Sequence, residues 1–177
     1  SFIVDEVQTG MGATGKLWAH SYWELDTPPD IVSFAKKAQI SGFFASEKYI
    51  PLYPYMIFNT WMGDSLRGSV LTYILDIIKQ EQLLDNTIKT GNYLYERLSE
   101  FQRQGFIQNL RGKDKGCYIA FDPIRTFPSV LLEDDLTTGK VRTLALELKH
   151  NGIITGTCGN NSIRLRPSLI LEKYHVD

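Results

Sequence analysis

Ser1-Phe2-Ile3-Val4-Asp5-Glu6-Val7-Gln8-Thr9-Gly10 sets a short β-branched apolar run against a glycine, the pattern of a strand already inside a core. Asp5 stands within that run, where a carboxylate is costly to bury unless a positive group meets it. Thirty-one positions later a second apolar run, Asp30-Ile31-Val32-Ser33-Phe34-Ala35-Lys36, ends on an amine. An amine placed there loses part of its hydration and becomes a better nucleophile. Two core strands thus end on a carboxylate and an amine. Spacing alone favours the plainer reading, in which the two pair with each other or with solvent.

Around these strands the chain is organised in stretches. Thr9 to Gly15 is too glycine-rich for regular structure and reads as a loop. Trp18 to Leu25 reads as a short aromatic helix or turn, broken by Thr27-Pro28-Pro29-Asp30, and Ser41 to Ala45 as a third strand. Leu66, Val70, Leu71, Ile74, Leu75 and Ile78 draw the stripe of one amphipathic helix. Leu84, Ile88, Gly91, Leu94, Leu98 and Phe101 draw a second, with Gly105 as its breaker. Beyond it the spacing predicts strands at Phe106–Leu110 and Gly116–Phe121, a helix at Val141–His150 stopped by Asn151-Gly152, and strands at Gly152–Thr155 and Ser162–Arg166. That is a β-β-α-β-β order, an α+β sandwich. Between Asp122 and Gly139 an acidic, proline-containing insertion reads as a surface loop or short added helix.

Composition narrows the function. The 177 residues carry 19 Lys+Arg against 20 Asp+Glu, a formal charge of -1, with 43% hydrophobic and 12% aromatic residues. This is a globular composition without the basic excess of a nucleic-acid binder. No apolar run reaches the roughly 20 residues that cross a bilayer. Cys117 and Cys158 have no partners at metal-ligand spacing, which argues against a zinc site or disulfide framework and for a reduced intracellular compartment. The sequon Asn160-Asn161-Ser162 reads as chance. Lacking an initiator Met and a targeting segment, the chain reads as a fragment.

One motif points elsewhere. Gly10-Met11-Gly12-Ala13-Thr14-Gly15-Lys16 has the spacing of a phosphate-cradling P-loop and follows a strand. Leu17, however, occupies the place of the Ser or Thr hydroxyl that ligates Mg²⁺. The alternative is a sharply turning glycine loop with Lys16 as a solvated cation.

Taken together, Ile3 to Gly10, Gly15-Lys16-Leu17-Trp18-Ala19-His20 and Pro29 to Lys36 resemble the class III, ornithine-type pyridoxal-phosphate aminotransferases, across essentially the whole chain. Val7-Gln8-Thr9-Gly10, Ala35-Lys36-Lys37, Gly42-Phe43-Phe44, Ile57 to Asp64 and Arg164-Leu165-Arg166-Pro167 are most similar to the branch that acts on 4-aminobutyrate. The resemblance implies an α/β chain of fold type I, aspartate aminotransferase-like. Residues 1–64 would be the C-terminal part of the large cofactor-binding domain, 65–104 connecting helices, and 105–177 an incomplete small α+β domain. It implies pyridoxal 5'-phosphate as cofactor, no metal, amino acid and 2-oxo acid substrates, a homodimer with a shared active site, and a cytoplasmic or mitochondrial-matrix location.

The same resemblance implies the roles of single residues. Asp5 would pair with the pyridinium nitrogen, keeping it protonated so that the ring serves as an electron sink. Gln8 would hydrogen-bond near the ring's phenolic oxygen. Lys36 would form the Schiff base and move the proton. Lys37 is its rival by adjacency, but successive strand side chains face opposite ways, and the family spacing from Asp30 selects Lys36. Thr60 would reach the cofactor phosphate of the neighbouring subunit; without the resemblance it reads as a cap or loop hydroxyl. Arg164 would stand near the distal end of the substrate and engage a carboxylate, with Arg166 as a possible confusion and surface or interdomain salt bridges as the plainer reading of both.

The implied reaction transfers the amino group of 4-aminobutyrate to 2-oxoglutarate. The alternatives are another ω-amino donor such as β-alanine, ornithine or the ε-amino group of lysine, or, in a different class, a non-catalytic or P-loop module. Two features depart from the family pattern: Ile40-Ser41 replaces small residues or glycines, and the insertion Arg125–Gly139 has no assigned role. The family's phosphate-binding glycine/serine loop, its ring-stacking aromatic and its main substrate-carboxylate arginine have no counterpart in these residues, so the chain alone is expected to be inactive.

Overall fold

A computed structural model describes residues 1–124, 140–159 and 161–177. Asn160 of the sequon and most of the expected 122–139 insertion lie outside the described residues. The chain divides into two compact units, Ser1–Asp85 and Asn86–Asp177.

In the first unit, β1 (Ile3–Asp5) and β2 (Ile31–Phe34) pair in parallel, with Ile3, Val4 and Asp5 opposite Ile31, Val32 and Ser33. β3 (Gly42–Ala45) lies antiparallel on the other side of β2. The pleat alternation puts Val4, Val32, Phe34 and Phe44 on one face and Ile3, Asp5, Ser33 and Phe43 on the other. The β1–β2 connection supplies Trp18, which packs on Phe34 and Phe44 with ring centroids 5.9 and 5.7 Å away. Met11 and Ala13 of the same connection are buried. Gly10 is required there, because a Cβ would lie 2.8 Å from the Glu6 carbonyl oxygen and from the Trp18 ring.

After β3, the irregular run 50–63 carries Leu52, Tyr53, Tyr55, Phe58 and Trp61 exposed. Helix α1 (Ser65–Gln80) follows, capped by Asp64, whose Oδ1 accepts the Arg67 N–H at 3.2 Å. The apolar stripe expected along this helix is present, but of its members only Ile78 is buried within the chain. Helix α2 (Leu83–Arg103) ends near Gly105, whose φ of +74° is the left-handed stop that the sequence predicts. No helix among the described residues is long and apolar enough to cross a membrane.

The second unit is built on an antiparallel sheet of β4 (Ile107–Arg111), β5 (Ile119–Pro123), β6 (Gly156–Cys158) and β7 (Ser162–Leu165), in the order β4-β5-β7-β6. Helix α3 (Lys140–His150) connects β5 to β6, so the β-β-α-β-β order holds. Ile107, Phe121, Val141 and Ile163 form the core, with Leu98, Phe106 and Leu144 packed against it. Burying a side chain of this size contributes about 1.5–3 kcal/mol.

Two strands differ from expectation. β5 begins at Ile119 rather than Gly116, because Gly116 has φ +57° in a turn and its carbonyl abuts Gly91 of α2. β6 begins at Gly156 rather than Gly152, because pairing with β7 puts Gly156 opposite Arg164 and leaves Ile153 and Ile154 exposed before the strand. Asp122, expected to open the insertion, lies inside β5.

Candidate active site

The parallel pairing of β1 and β2 brings two of the expected residues together at the C-terminal ends of these strands. Asp5 Oδ1 accepts the Val7 N–H at 2.9 Å and the Ser33 hydroxyl at 3.0 Å. Its Oδ2 accepts no hydrogen bond among the described residues. The Val7 amide, then the Ser33 hydroxyl, then the positive charge of Lys36 hold the Asp5 carboxyl below its ordinary value of 3.8. Asp5 itself is exposed, contrary to the enclosure expected from its apolar run. In a three-residue strand the pleat turns only Val4 inward and leaves Ile3 and Asp5 on the open face.

Lys36 also differs in setting from expectation. β2 stops at Phe34, Ala35 is extended, and Lys36 opens a 3-10 turn (Lys36–Ala38) with φ +52°. Ala38, fully buried, anchors the turn, and Gln39 closes it by donating its backbone N–H and side-chain amide to the Lys36 carbonyl at 2.8 and 3.0 Å. Lys36 is therefore distinguished from Lys37 by the turn rather than by strand alternation. Lys36 is exposed and acts on Asp5 through space, whereas Lys37 is half-buried.

Glu6 was not singled out from the sequence, yet it organises the turn beside Asp5. It is 1% exposed. Its Oε1 accepts the His20 backbone N–H at 2.7 Å and contacts His20 Nδ1 at 2.9 Å, and its Oε2 accepts the Thr9 hydroxyl. Burial opposes the charge, but the Thr9 and His20 donors outweigh it and hold the Glu6 carboxyl below its ordinary value of 4.5. The Glu6 N–H donates to the Ser33 carbonyl and its own carbonyl accepts the Gly10 N–H, both at 2.9 Å, so one residue ties β1, β2 and the turn together. The available signal was alternation: adjacent acids on a strand face opposite ways, so one of Asp5 and Glu6 had to point inward.

Gln8 lies half-buried in that turn, three positions beyond Asp5. The glycine loop after it is folded on itself. The Met11 and Gly12 N–H groups donate to the Leu17 carbonyl at 2.7 and 3.3 Å, and Gly15 N–H donates to Gly12 at 2.9 Å. Lys16 Nζ donates to the Ser21 carbonyl at 3.1 Å and lies 4.3 Å from the Tyr22 ring centroid. Three of the loop amides and the Lys16 amine are thus committed to carbonyls of the chain itself, unlike a phosphate cradle, whose N–H groups point at the ligand.

Thr60 is exposed in the turn where Asn59 Oδ1 accepts the Trp61 N–H at 2.9 Å. It is not the cap of α1, a role taken by Asp64. Arg164, in the second unit, sits on β7 between two small neighbours, Ala120 on β5 and Gly156 on β6. Its Nε is buried and makes no hydrogen bond among the described residues. Arg164 and Arg166 both line a cavity of about 770 Å³ with mainly apolar walls, including Leu98, Phe121 and Leu148.

Comparison with known proteins bears on this arrangement. All of residues 1–177 match the model of the class-III aminotransferase family. A 4-aminobutyrate aminotransferase from Emericella nidulans is 45% identical, over 99% of this chain and 33% of its own length. One from Dictyostelium discoideum is 45% identical, over 100% of this chain and 33% of its own. The mitochondrial 4-aminobutyrate aminotransferase of Homo sapiens is 40% identical, over 99% and 33%. The chain thus spans about a third of the length of the curated relatives it matches. Among solved structures, a lysine aminotransferase from M. tuberculosis in the internal aldimine form superposes with a TM-score of 0.79 at 29% identity, covering 98% of this chain and 38% of that one. An ornithine delta-aminotransferase from Plasmodium falciparum gives 0.78 at 27%, covering 98% and 43%.

Proposed function

The chain belongs to the class-III aminotransferases, and from that premise we propose that the protein containing it binds pyridoxal 5'-phosphate and transfers the amino group of 4-aminobutyrate to 2-oxoglutarate, yielding succinate semialdehyde and glutamate. The observation that carries this reading is an ionised Asp5 at the end of β1 within the electrostatic reach of an exposed Lys36 in the turn that follows the parallel strand β2. The donor set suits the cofactor: a carboxylate with one uncommitted oxygen matches a protonated ring nitrogen, and a primary amine matches an aldehyde. The choice of 4-aminobutyrate rests on the names of relatives at 40–45% identity.

When bound, pyridoxal phosphate supplies the electron sink that makes a proton on the amine-bearing substrate carbon removable. Asp5 places a fixed negative charge where the ring nitrogen must hold its proton. Lys36 Nζ would hold the cofactor through its aldehyde and would serve as the base for the proton on the substrate carbon. Gln8 orients the ring edge from the turn beyond Asp5. Arg164 would engage a substrate carboxylate through its guanidinium, whose Nε has no hydrogen-bond partner among the described residues.

The same reading makes residues 1–64 the end of a large cofactor-binding domain, 65–104 connecting helices and 105–177 part of a small domain. It makes the protein a homodimer in which Thr60 serves the partner's cofactor phosphate, a role supported by the exposed aromatic run before α1. The mitochondrial names of mammalian relatives support an intracellular location, mitochondrial matrix or cytoplasm.

A second reading, another ω-amino donor, is favoured by the likeness to lysine and ornithine aminotransferases. One single-turnover experiment separates the two. The full-length cofactor-loaded protein, given 4-aminobutyrate without keto acid, releases about one succinate semialdehyde per site, and Lys36→Ala abolishes the release. Release of the semialdehyde product only from ornithine or lysine moves the assignment to those donors, and cofactor binding unaffected by Lys36→Ala overturns the enzyme reading.

A further inference from the structure

Asp5 can serve a ring nitrogen only if its carboxylate is both charged and aimed. Its two oxygens are treated unequally. Oδ1 is held twice, by the Val7 N–H at 2.9 Å and the Ser33 hydroxyl at 3.0 Å, while Oδ2 is left without a donor among the described residues. The Val7 bond is local, closed within two residues, and fixes the carboxylate only relative to its own turn. The Ser33 bond crosses from β2, whose backbone stands directly opposite Asp5 in the parallel register. Ser33 is itself fixed at that point, because its carbonyl accepts the Glu6 N–H at 2.9 Å. The residue that orients Asp5 relative to the strand leading into Lys36 is therefore Ser33.

We propose that Ser33 is a positioning residue for the cofactor: its hydroxyl locks Oδ1 of Asp5 so that Oδ2 alone is presented to the ring nitrogen. This deepens the proposed function and rests on it. A threonine would keep the hydroxyl; an alanine would leave Oδ1 with the Val7 amide only and let the carboxylate rotate. Ser33 also helps to keep the Asp5 carboxyl acidic, together with the Val7 amide and Lys36, the one charged side chain acting on it among the described residues.

The test compares full-length wild type, Ser33→Ala and Ser33→Thr as apo proteins. Pyridoxal phosphate affinity is measured by absorbance titration, and the Asp5 carboxyl is titrated by ¹³C NMR, its signal assigned with Asp5→Asn. Ser33→Ala is expected to weaken cofactor affinity roughly tenfold, as loss of a hydrogen bond to a charged group does, and to move the Asp5 titration upward. Ser33→Thr is expected to leave both at wild-type values. Should the alanine chain fail to fold, Ser33→Cys, a weak donor of similar size, is expected to show the same two shifts. An Ala or Cys variant with wild-type affinity and an unmoved Asp5 titration overturns the proposal, as does a Thr variant that behaves like Ala. A wild-type protein that binds no pyridoxal phosphate overturns the proposed function instead, so the two failures are distinguishable.

Discussion

Glu6 commits both carboxylate oxygens, one to Thr9 in the turn that follows it and one to His20 farther along the β1–β2 connection, whereas its neighbour Asp5 keeps one oxygen uncommitted among the described residues. Two acids adjacent in sequence thus differ in setting, one buried among donors and one exposed on the open face, and on the proposed function the pleat of a three-residue strand decides which serves the fold and which the chemistry. Glu6→Ala is expected to destabilise the full-length protein by about 2–4 kcal/mol in urea unfolding, because the Thr9 and His20 donors lose their acceptor inside the fold. Its pH dependence follows from the lowered carboxyl. The stabilisation is complete above the ordinary value of 4.5 and drains away as the pH falls toward the lower folded-state value. Glu6→Gln should therefore lose stability at neutral pH but show a shallower acid decline than wild type in melting curves taken from about pH 3 to 7. An equally steep decline would remove Glu6 from the acid response.

At the scale of elements, two helical glycines make opposite predictions from opposite surroundings. A Cβ on Gly91 of α2 would fall 2.1 Å from the Gly116 carbonyl oxygen, so Gly91→Ala is expected to cost about 1–3 kcal/mol or more. Nothing lies within 4 Å of a Cβ on Gly68 of α1, and Gly68→Ala should stabilise by about 0.5–1 kcal/mol. The two urea midpoints must move in opposite directions. The same contrast marks what could be read from the chain. Periodicity located α1, α2 and α3 within a few residues because a helical stripe is a local signal. It misplaced β6, since Ile153-Ile154 looks like strand by composition while pairing with β7 begins only at Gly156. Strand limits are decided by a partner distant in sequence, and no local pattern carries that information. In the candidate site, Asp5 and Lys36 stood out as a carboxylate and an amine in apolar runs, while the roles proposed for them came only from the resemblance of the stretches around them. Ser33 and Glu6 did not stand out, because a hydroxyl or a second acid acquires a role only from the register that places it.

For the whole molecule, the proposed function puts Thr60 and Lys36 in different subunits of one site, which subunit mixing can check. Neither Lys36→Ala nor Thr60→Ala homodimers should work at limiting cofactor, but co-refolded mixtures should recover up to about a quarter of wild-type activity, one intact site in each mixed dimer. No recovery would place both residues in the same subunit. On the proposed function, folding stability and chemistry also meet at Lys36, whose φ of +52° is a conformation that glycine adopts freely and lysine does not. Lys36→Gly should raise the urea midpoint while ending turnover. A lineage relieved of the need for this amine would gain by discarding it, and drift would run downhill toward an inert but sturdier descendant. On the proposed function, it is turnover that keeps a lysine in this turn.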